Sequence, residues 1–435
     1  MAPKKIEEKS YAVATQLIYG KSTTAAWDYE HHIIPPMTAS SSFRLDSAKR
    51  GATGFSSFTN PHSAADGETI YFYDRMGEPN NNMLQHVLAV AERVDCAVTF
   101  GSGMAAVHAA ASFLLSTGDH IVSHRVVYGC TYSLFTSGLK RLGIETDFVD
   151  LRVIDNLVAS VRPNTRIVYL ESPANPTLEL LDLTAIAKVV KELNAQRPAD
   201  KQLVTVIDNT FSTPYCQRPA EHGIDVMLHS LTKGLSGFGT DMGGVVCTRK
   251  EFEEQLIIFR KDFGAVLAPQ TAWHILTYGV STLNVRVPKQ IANAKLVAQF
   301  LEQHPAVERV AYPGLKSFPQ YELAQRMLID YEGNFAPGFM IYFVLKGKDL
   351  KTQQAHGLAL MDRIATSAYT VTLAVSLGQL RTLIEHPGSM THSSYPPEEQ
   401  LKRGLDPGGI RLAIGIENAG DIIRDLDAAL AGITH

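Results

Sequence analysis

Three groups of polar or glycine residues in the middle of the chain each stand directly after a short β-rich run. Asp208-Asn209-Thr210 follows residues 203–207, and Ser230-Leu231-Thr232-Lys233 follows residues 226–229. Gly101-Ser102-Gly103-Met104-Ala105-Ala106 follows residues 97–100. Taken singly, such an acid commonly caps a helix, and such a lysine commonly lies in a solvated loop. Together, the three groups offer an amine, a carboxylate, hydroxyls and backbone amides.

This combination meets the chemical requirements of a pyridoxal phosphate ring. The ring needs an amine for its imine, a carboxylate that keeps the pyridine nitrogen protonated, and hydroxyls and amides for its phosphate. Lys233 is the candidate amine and Asp208 the candidate carboxylate. Candidate phosphate or ring ligands are Thr210, Ser230, Thr232 and the backbone amides of Gly103 and Met104, because amides at a helix start attract anions. The sequence therefore predicts pyridoxal 5'-phosphate as the cofactor.

The glycine motif also satisfies the G-x-G-x-x-A pattern of dinucleotide-binding proteins. That pattern requires an acid at the end of the next strand, where it contacts the ribose. The next β-rich run, residues 121–123, leads instead to His124. The missing acid disfavours a nicotinamide cofactor. For this motif alone, a tight strand-to-helix turn without a ligand is a further alternative.

The elements that must position these groups alternate between β-rich runs and helical patterns. The predicted strands are residues 97–100, 121–123, 147–149, 166–170, 203–207 and 226–229, and residues 183–193 have the period of an amphipathic helix. Such alternation predicts an α/β fold with a mostly parallel sheet, doubly wound by right-handed connections. Ligands of such sheets bind at the carboxyl ends of the strands, which is where the polar groups stand.

The character of the sequence divides the chain into three parts. Residues 1–77 are rich in Ser, Thr, Pro and Gly and show little periodicity, as in an arm that lies on another surface. Residues 78–283 hold the alternating pattern of a large domain. Residues 284–435 mix helical and strand patterns, which predicts a smaller α/β domain ending in a helix over residues 419–431. A chain of 435 residues is long enough for two domains.

Composition narrows the possible classes of function. With 45% hydrophobic and 19% charged residues the chain is typical of soluble globular proteins, and a net charge of -4 offers no basic surface for nucleic acid. No apolar stretch reaches the ~20 residues of a membrane span, and the first residues lack the apolar core of a secretory signal. The four cysteines form no Cys-x-x-Cys pair, so neither a disulfide framework nor structural zinc is expected. We expect a cytoplasmic protein without a metal.

Four further stretches stand in a recognisable order and spacing along the chain. They are Glu171-Ser172-Pro173-Ala174-Asn175-Pro176-Thr177, Val206-Ile207-Asp208-Asn209-Thr210-Phe211, His229-Ser230-Leu231-Thr232-Lys233 and His386-Pro387-Gly388-Ser389-Met390-Thr391-His392. They resemble the Cys/Met metabolism family of fold-type I pyridoxal-phosphate enzymes, along nearly the whole chain. The resemblance implies a mostly parallel seven-stranded sheet, a smaller C-terminal α/β domain, an extended N-terminal arm, and chemistry at the γ-carbon of a sulfur amino acid.

The resemblance also implies roles for residues around the cofactor. Lys233 would hold the cofactor as a Schiff base, and Asp208 would contact its pyridine nitrogen. Tyr128 would stack on the ring and act as the acid at the leaving group. Asn175 would form a hydrogen bond with the phenolic oxygen of the ring.

Other matched residues would contact the substrate or a neighbouring subunit. Ser376 and Arg411 would hold the substrate carboxylate, for which a planar guanidinium is well suited. Tyr73 and Arg75 resemble residues that reach the cofactor phosphate of a neighbouring subunit, which implies at least a dimer and, by family resemblance, a homotetramer. The segment Arg75-Met76-Gly77-Glu78-Pro79-Asn80 departs from the family pattern Arg-x-x-Asn-Pro-Thr. The turn after Arg75 is therefore expected to differ from the family.

Within that family, three features resemble methionine γ-lyases. Cys130 stands where those lyases carry a cysteine, and Lys261-Asp262 resembles their Lys-Asp pair near the substrate. Val375 stands where cystathionine enzymes tend to have glutamate, and an apolar side chain suits an uncharged thioether. The implied reaction is γ-elimination on L-methionine, which gives methanethiol, 2-oxobutyrate and ammonia.

Other functions stay open at this point. On the same scaffold they are O-acetylhomoserine sulfhydrylase or another γ-replacement enzyme, cystathionine γ-lyase and cystathionine γ-synthase. Residues 390–395 weigh against the sulfhydrylase, whose equivalent segment usually differs after the histidine. A non-catalytic cofactor-binding protein is an alternative of another class, and turnover of any substrate would exclude it.

Overall fold

Two β-sheets organise the chain in its computed structural model, which describes residues 11–19, 32–59, 69–393 and 397–433. Within these residues a seven-stranded sheet is followed along the chain by a five-stranded sheet. Helices pack against both sheets. This architecture confirms the predicted α/β class with a mostly parallel large sheet and a smaller second sheet.

The large sheet has the strand order β1-β7-β6-β5-β4-β2-β3. Strand β7 pairs antiparallel with both neighbours, and the other pairs are parallel. Six strands lie within two residues of their predicted bounds, whereas β7 was not predicted. The strands are β1 Cys96–Phe100, β2 His120–His124, β3 Glu145–Val149, β4 Thr165–Glu171, β5 Val204–Asp208, β6 Val226–Ser230 and β7 Gly244–Thr248.

Helices bury both faces of this sheet. On one face lie α3 (Pro79–Glu92) and α7 (Leu183–Asn194), and on the other lie α4 (Gly103–Ser112) and α9 (Glu253–Phe263). Strands β1, β2 and β7 are buried at every residue, while the edge strand β3 is partly exposed. Burial on both faces explains why the inner strands read as continuous apolar runs in the sequence.

Shorter helices complete the first part of the chain. They are α1 Val13–Tyr19, α2 Ala48–Ser57, α5 Gly129–Ser133, α6 Ile154–Ser160, α8 Thr213–Cys216 and α10 Pro269–His274. Helix α1 packs on α3 and buries Leu17, and a β-bridge joins Ser42 to Tyr73. The described part of residues 1–77 thus has more regular structure than its sequence predicts.

Residues 1–10, 20–31 and 60–68 of the predicted arm lie outside the described residues, as do Ser394 and Tyr395. Contact of the arm with a neighbouring subunit stays a prediction, as do the domain boundaries.

The smaller sheet has the order β10-β11-β12-β9-β8. Its strands are β8 Val307–Ala311, β9 Met340–Leu345, β10 Val371–Leu373, β11 Thr382–Glu385 and β12 Gly409–Ala413. Its helices are α11 Leu283–Gln303, α12 Tyr321–Met327, α13 Leu350–Ser367, α14 Pro397–Lys402 and α15 Ala419–Leu430. In the β11–β12 ladder Glu385 is the register partner of Arg411. Among the described residues, no helix is long and apolar enough to cross a membrane.

Candidate active site

A cavity of about 800 Å³ opens at the carboxyl ends of the central strands β4, β5 and β6. The loop after β10 and strand β12 of the smaller sheet also contribute to its wall. The residues of the predicted site that line it are Gly103, Met104, Tyr128, Asn175, Asp208, Thr210, Ser230, Thr232, Lys233, Val375, Ser376 and Arg411. The fold therefore groups these residues at one place, and the individual role of each stays a prediction.

The start of helix α4 forms the end of the cavity suited to a phosphate. The Ser102 side chain caps the helix by accepting from the Ala105 amide, and in the described part of the chain no hydrogen bond uses the amides of Gly103 or Met104. A Cβ atom at Gly103 would lie 2.7 Å from the Cβ of Ser230, so only glycine allows this approach. Two free amides at a helix start, beside a serine hydroxyl, fit the phosphate of the predicted cofactor.

Lys233 extends into the cavity from the loop after β6. Its Nζ donates a hydrogen bond to Ser376 Oγ at 3.0 Å. Burial lowers the pKa of the Lys233 amine, and the positive charge of Arg411 lowers it further. A larger fraction of the Lys233 amine is therefore neutral. The neutral amine is the form that attacks a carbonyl and accepts a proton.

Two carboxyl groups lie side by side at the ends of β4 and β5. Asp208 is the register partner of Glu171, and Asp208 Oδ1 accepts a hydrogen bond from the Thr210 amide at 3.0 Å. Burial raises the pKa of Asp208, while its hydrogen bonds with Thr210 lower it. The pKa of Glu171 is raised well above its usual range, first by burial and then by the negative charge of Asp208. The hydrogen bond that Asp208 accepts from the Thr210 amide favours its ionised form, as a partner for a pyridinium requires.

Glu171 was given no role in the sequence analysis, although it belongs to a matched motif. Its carboxyl oxygens accept hydrogen bonds from the backbone amides of Tyr128 and Asn175, both at 2.8 Å. Glu171 therefore holds two cavity-lining segments in place through their backbone amides, and it lines the cavity itself. The sequence did contain a signal for Glu171. It stands at the carboxyl end of a predicted parallel strand, as Asp208 does.

Tyr128 lies at the start of α5 and is only partly exposed to the cavity. Burial raises the pKa of its hydroxyl well above the usual range, and hydrogen bonding with Cys130 raises it further. The hydroxyl therefore stays protonated and can serve as a proton donor. Cys130 itself is exposed and free, and it does not line the cavity but contacts the tyrosine that does.

Arg411 reaches the cavity from strand β12 and is 3% exposed. It donates to Asn175 Oδ1 at 3.2 Å and to the backbone carbonyl oxygen of Ser376 at 2.9 Å. It also forms an ion pair with Glu385 at 3.0 Å. Because the Asn175 carbonyl oxygen faces Arg411, the amide nitrogen of Asn175 is left to contact a ring oxygen.

Four residues of the predicted site lie elsewhere, in a cluster of their own. Arg75 Nη1 donates to the Lys261 carbonyl oxygen at 2.6 Å, and the Arg75 guanidinium lies 5.5 Å from the centre of the Tyr73 ring. Lys261 Nζ and Asp262 Oδ1 form an ion pair at 3.0 Å. None of the four lines the cavity of this chain. Contact of this cluster with a cofactor in a neighbouring subunit stays a prediction.

The turn after Arg75, which departs from the family pattern, is built around Glu78. The buried Glu78 carboxylate caps helix α3 by accepting from the amides of Asn80 and Asn81, and Pro79 occupies the first helical position. Burial raises the pKa of Glu78 to about 7, against the lowering effect of those amides. Glutamate is an uncommon N-cap, but here its negative charge meets the positive end of the helix dipole.

The fold and the cavity together define a class of protein. The chain has a mostly parallel seven-stranded sheet and a smaller second sheet. A lysine, an aspartate and a helix start meet at the carboxyl edge of the large sheet. These features define a fold-type I pyridoxal-phosphate enzyme. In the described part of the chain no group of His, Cys, Asp and Glu side chains is placed to hold a metal ion.

The chain belongs to the family described as Cys/Met metabolism PLP-dependent enzymes, whose model matches residues 14–431. It is 41% identical over 400 residues to the L-methionine gamma-lyase of Treponema denticola, covering 92% of each chain. It is 37% identical to the cystathionine gamma-lyase of Bacillus subtilis, over 85% of this chain and 91% of the relative. The crystal structure of cystathionine gamma-lyase from Lactobacillus plantarum complexed with L-serine superposes with a TM-score of 0.81 at 32% identity, covering 97% of this chain and 99% of that one. The protein is thus an enzyme, and its cofactor is pyridoxal 5'-phosphate.

Proposed function

We propose that the enzyme converts L-methionine and water to methanethiol, 2-oxobutyrate and ammonia, and that it does so in the cytoplasm. The observation that carries the choice of substrate is the apolar part of the cavity wall. Val375 and Met242 line the cavity and are 54% and 63% exposed. Exposed apolar side chains suit the methylthio group of methionine better than the charged second head of cystathionine. The relatives named as methionine gamma-lyases support the same choice.

Four residues that line the cavity have a place in this reaction. Arg411 binds the substrate carboxylate, and the Lys233 amine accepts the proton from the α-carbon. The bound cofactor supplies an electron sink for the charge that this deprotonation leaves, and Asp208 keeps the pyridine nitrogen protonated. After a second proton leaves the β-carbon, the Tyr128 hydroxyl donates a proton to the sulfur as the bond between sulfur and the γ-carbon breaks. Water then completes the release of 2-oxobutyrate and ammonia.

The substrate is tested by presenting the purified holoenzyme with three alternatives. We expect the enzyme to form 2-oxobutyrate and methanethiol from L-methionine. The kcat/KM for this reaction should exceed the kcat/KM for cystathionine and for O-acetylhomoserine with sulfide. Negligible methionine elimination beside fast sulfide-dependent replacement would instead identify a sulfhydrylase. Faster cystathionine cleavage would identify a cystathionine enzyme.

A variant at Cys130 tests substrate choice in the same three assays. Because it contacts the Tyr128 hydroxyl, it is placed to affect substrate fit at the leaving group without acting as a nucleophile. Cys130→Gly should therefore lower kcat/KM for methionine more than for the other two substrates, by about 1–3 kcal/mol of discrimination. An equal loss for all three substrates would deny Cys130 a selective role.

The cluster of Tyr73, Arg75, Lys261 and Asp262 supports a site shared between subunits, in an oligomer of at least two chains and, on the family resemblance, four. Since Arg75 lies outside the cavity of its own chain, Arg75→Ala should weaken cofactor retention only in the neighbouring site. Inactive Lys233→Ala subunits mixed with Arg75→Ala subunits should then regain activity, because one of the two sites in each hybrid dimer has both side chains intact. Activity and cofactor content are measured on hybrids separated by two affinity tags.

An absence of complementation in verified hybrid dimers would show that Arg75 does not complete the site of the neighbouring subunit. A Lys188→Ala subunit in place of the Arg75→Ala subunit serves as the control for mixing. Lys188 lies on the surface of α7, away from the cavity and from the cluster.

A further inference from the structure

Arg411 is held by a carboxylate that belongs to the protein itself. Glu385, at the end of β11, is 1% exposed, and its Oε1 lies 3.0 Å from Arg411 Nη1. Thr391 Oγ1 donates to the same oxygen at 2.6 Å. Glu385 Oε2 is buried and has no hydrogen-bond partner among the described residues. The charge of the arginine is therefore already paired before any substrate binds.

The hydrogen bonds that the Arg411 guanidinium already makes determine which of its N–H donors remain for a substrate. Nη1 is shared between Glu385 Oε1 and Asn175 Oδ1, and one hydrogen of Nη2 goes to the Ser376 carbonyl oxygen. A guanidinium has five N–H donors. The second hydrogen of Nη2 and the Nε hydrogen are left to bind a carboxylate. Glu385 thus fixes both the position of the guanidinium and the edge that it presents.

We propose that Glu385 is a positioning residue that also limits the affinity of the site for the substrate carboxylate. A carboxylate bound at Arg411 shares one positive charge with Glu385, and two carboxylates near each other in a poorly solvated site repel. The inference rests on the proposed binding of the substrate carboxylate by Arg411. A site that held the carboxylate of every amino acid too tightly would release its 2-oxo acid product slowly.

Two ligands that differ only at the carboxylate test this role. L-Alanine carries the carboxylate and L-alaninamide does not, and neither has a leaving group at the γ-carbon. Each is titrated into the holoenzyme, and the dissociation constant is read from the absorbance of the cofactor. Glu385→Gln keeps an oxygen for Arg411 and Thr391 but removes the charge. We expect this variant to bind L-alanine about three- to tenfold more tightly, with L-alaninamide binding unchanged.

Glu417→Gln is the matched control, because Glu417 also contacts strand β11 through its carboxylate. Its carboxylate accepts hydrogen bonds from the amide and hydroxyl of Thr382 at the other end of β11, at 2.6 and 2.9 Å. This variant should keep the wild-type ratio of the two dissociation constants. Were Glu385→Gln to lose the cofactor, Glu385→Met, which also removes the charge, would be measured in its place, with the same tightening expected.

The role of Glu385 is overturned by either of two results. Weaker L-alanine binding would mean that Glu385 only supports the structure around Arg411. Equal tightening of both ligands would place the effect at the cofactor and not at the carboxylate. Failure of the enzyme to cleave methionine would overturn the proposed function but leave the ratio of these constants unaffected, so the two failures are distinguishable.

Discussion

Lys233→Ala is expected to abolish methionine turnover while the protein stays folded, with a loss of at least about 10⁴-fold in kcat. Lys233 is the only lysine among the residues that line the cavity, so no second amine within the described chain can replace it. The Lys233 side chain donates a hydrogen bond to Ser376 Oγ. Burial of a polar amine without an ion pair costs stability, so the protein should stay folded when the amine is removed. The measurements are steady-state rates, the absorbance of the bound cofactor and far-ultraviolet circular dichroism.

A matched variant separates the loss of this amine from a general effect of removing a lysine. Lys250 is 54% exposed and pairs with Glu253 at the start of α9, away from the cavity. Lys250→Ala should retain wild-type turnover, since a surface ion pair contributes at most about 1 kcal/mol. Residual turnover above a few per cent in Lys233→Ala would contradict the role given to this amine.

The large sheet could be predicted from the sequence because its inner strands are buried on both faces. Such strands appear as apolar runs, and the polar residues that end them mark the edge where ligands bind. Strand β7 is as apolar as its neighbours, so its presence could have been predicted from the same signal, and it was overlooked. Its antiparallel direction could not be predicted, because that direction depends on how the chain returns after Lys233, which no local pattern specifies.

Two acids that the sequence analysis did not single out, one lining the cavity and one paired with Arg411 beside it, owe their positions to pairing between strands. Glu171 acquires its position from the β4–β5 ladder, opposite Asp208, and Glu385 acquires its position from the β11–β12 ladder, opposite Arg411. Each pair joins residues that are far apart in the sequence. A single sequence shows which residues are acids but not which charged side chain each acid faces. Lys233 and Asp208 could be singled out from the sequence because the chemistry of the cofactor requires those two residue types.

Asp208→Asn is expected to slow removal of the α-proton by about 10²- to 10³-fold while substrate affinity changes little. The amide is nearly the same shape, and its oxygen can still accept from the Thr210 amide, so the local structure should persist. What is lost is the negative charge that keeps the pyridine nitrogen protonated. Exchange of the α-proton of L-alanine in deuterium oxide, followed by NMR, reports this loss without depending on which leaving group the enzyme prefers.

Asp225→Asn provides the same chemical change at the opposite edge of the sheet. Asp225 precedes β6 and accepts hydrogen bonds from the amide and hydroxyl of Thr205 in β5, at 2.8 and 2.7 Å. Any effect that spreads through these two strands should appear in both variants, whereas loss of charge beside the cofactor should appear only in Asp208→Asn. We therefore expect wild-type exchange in Asp225→Asn. Equal exchange rates in the two variants would show that Asp208 does not act on the pyridine nitrogen. Glu171, the other acid that lines the cavity, would then have to supply that charge.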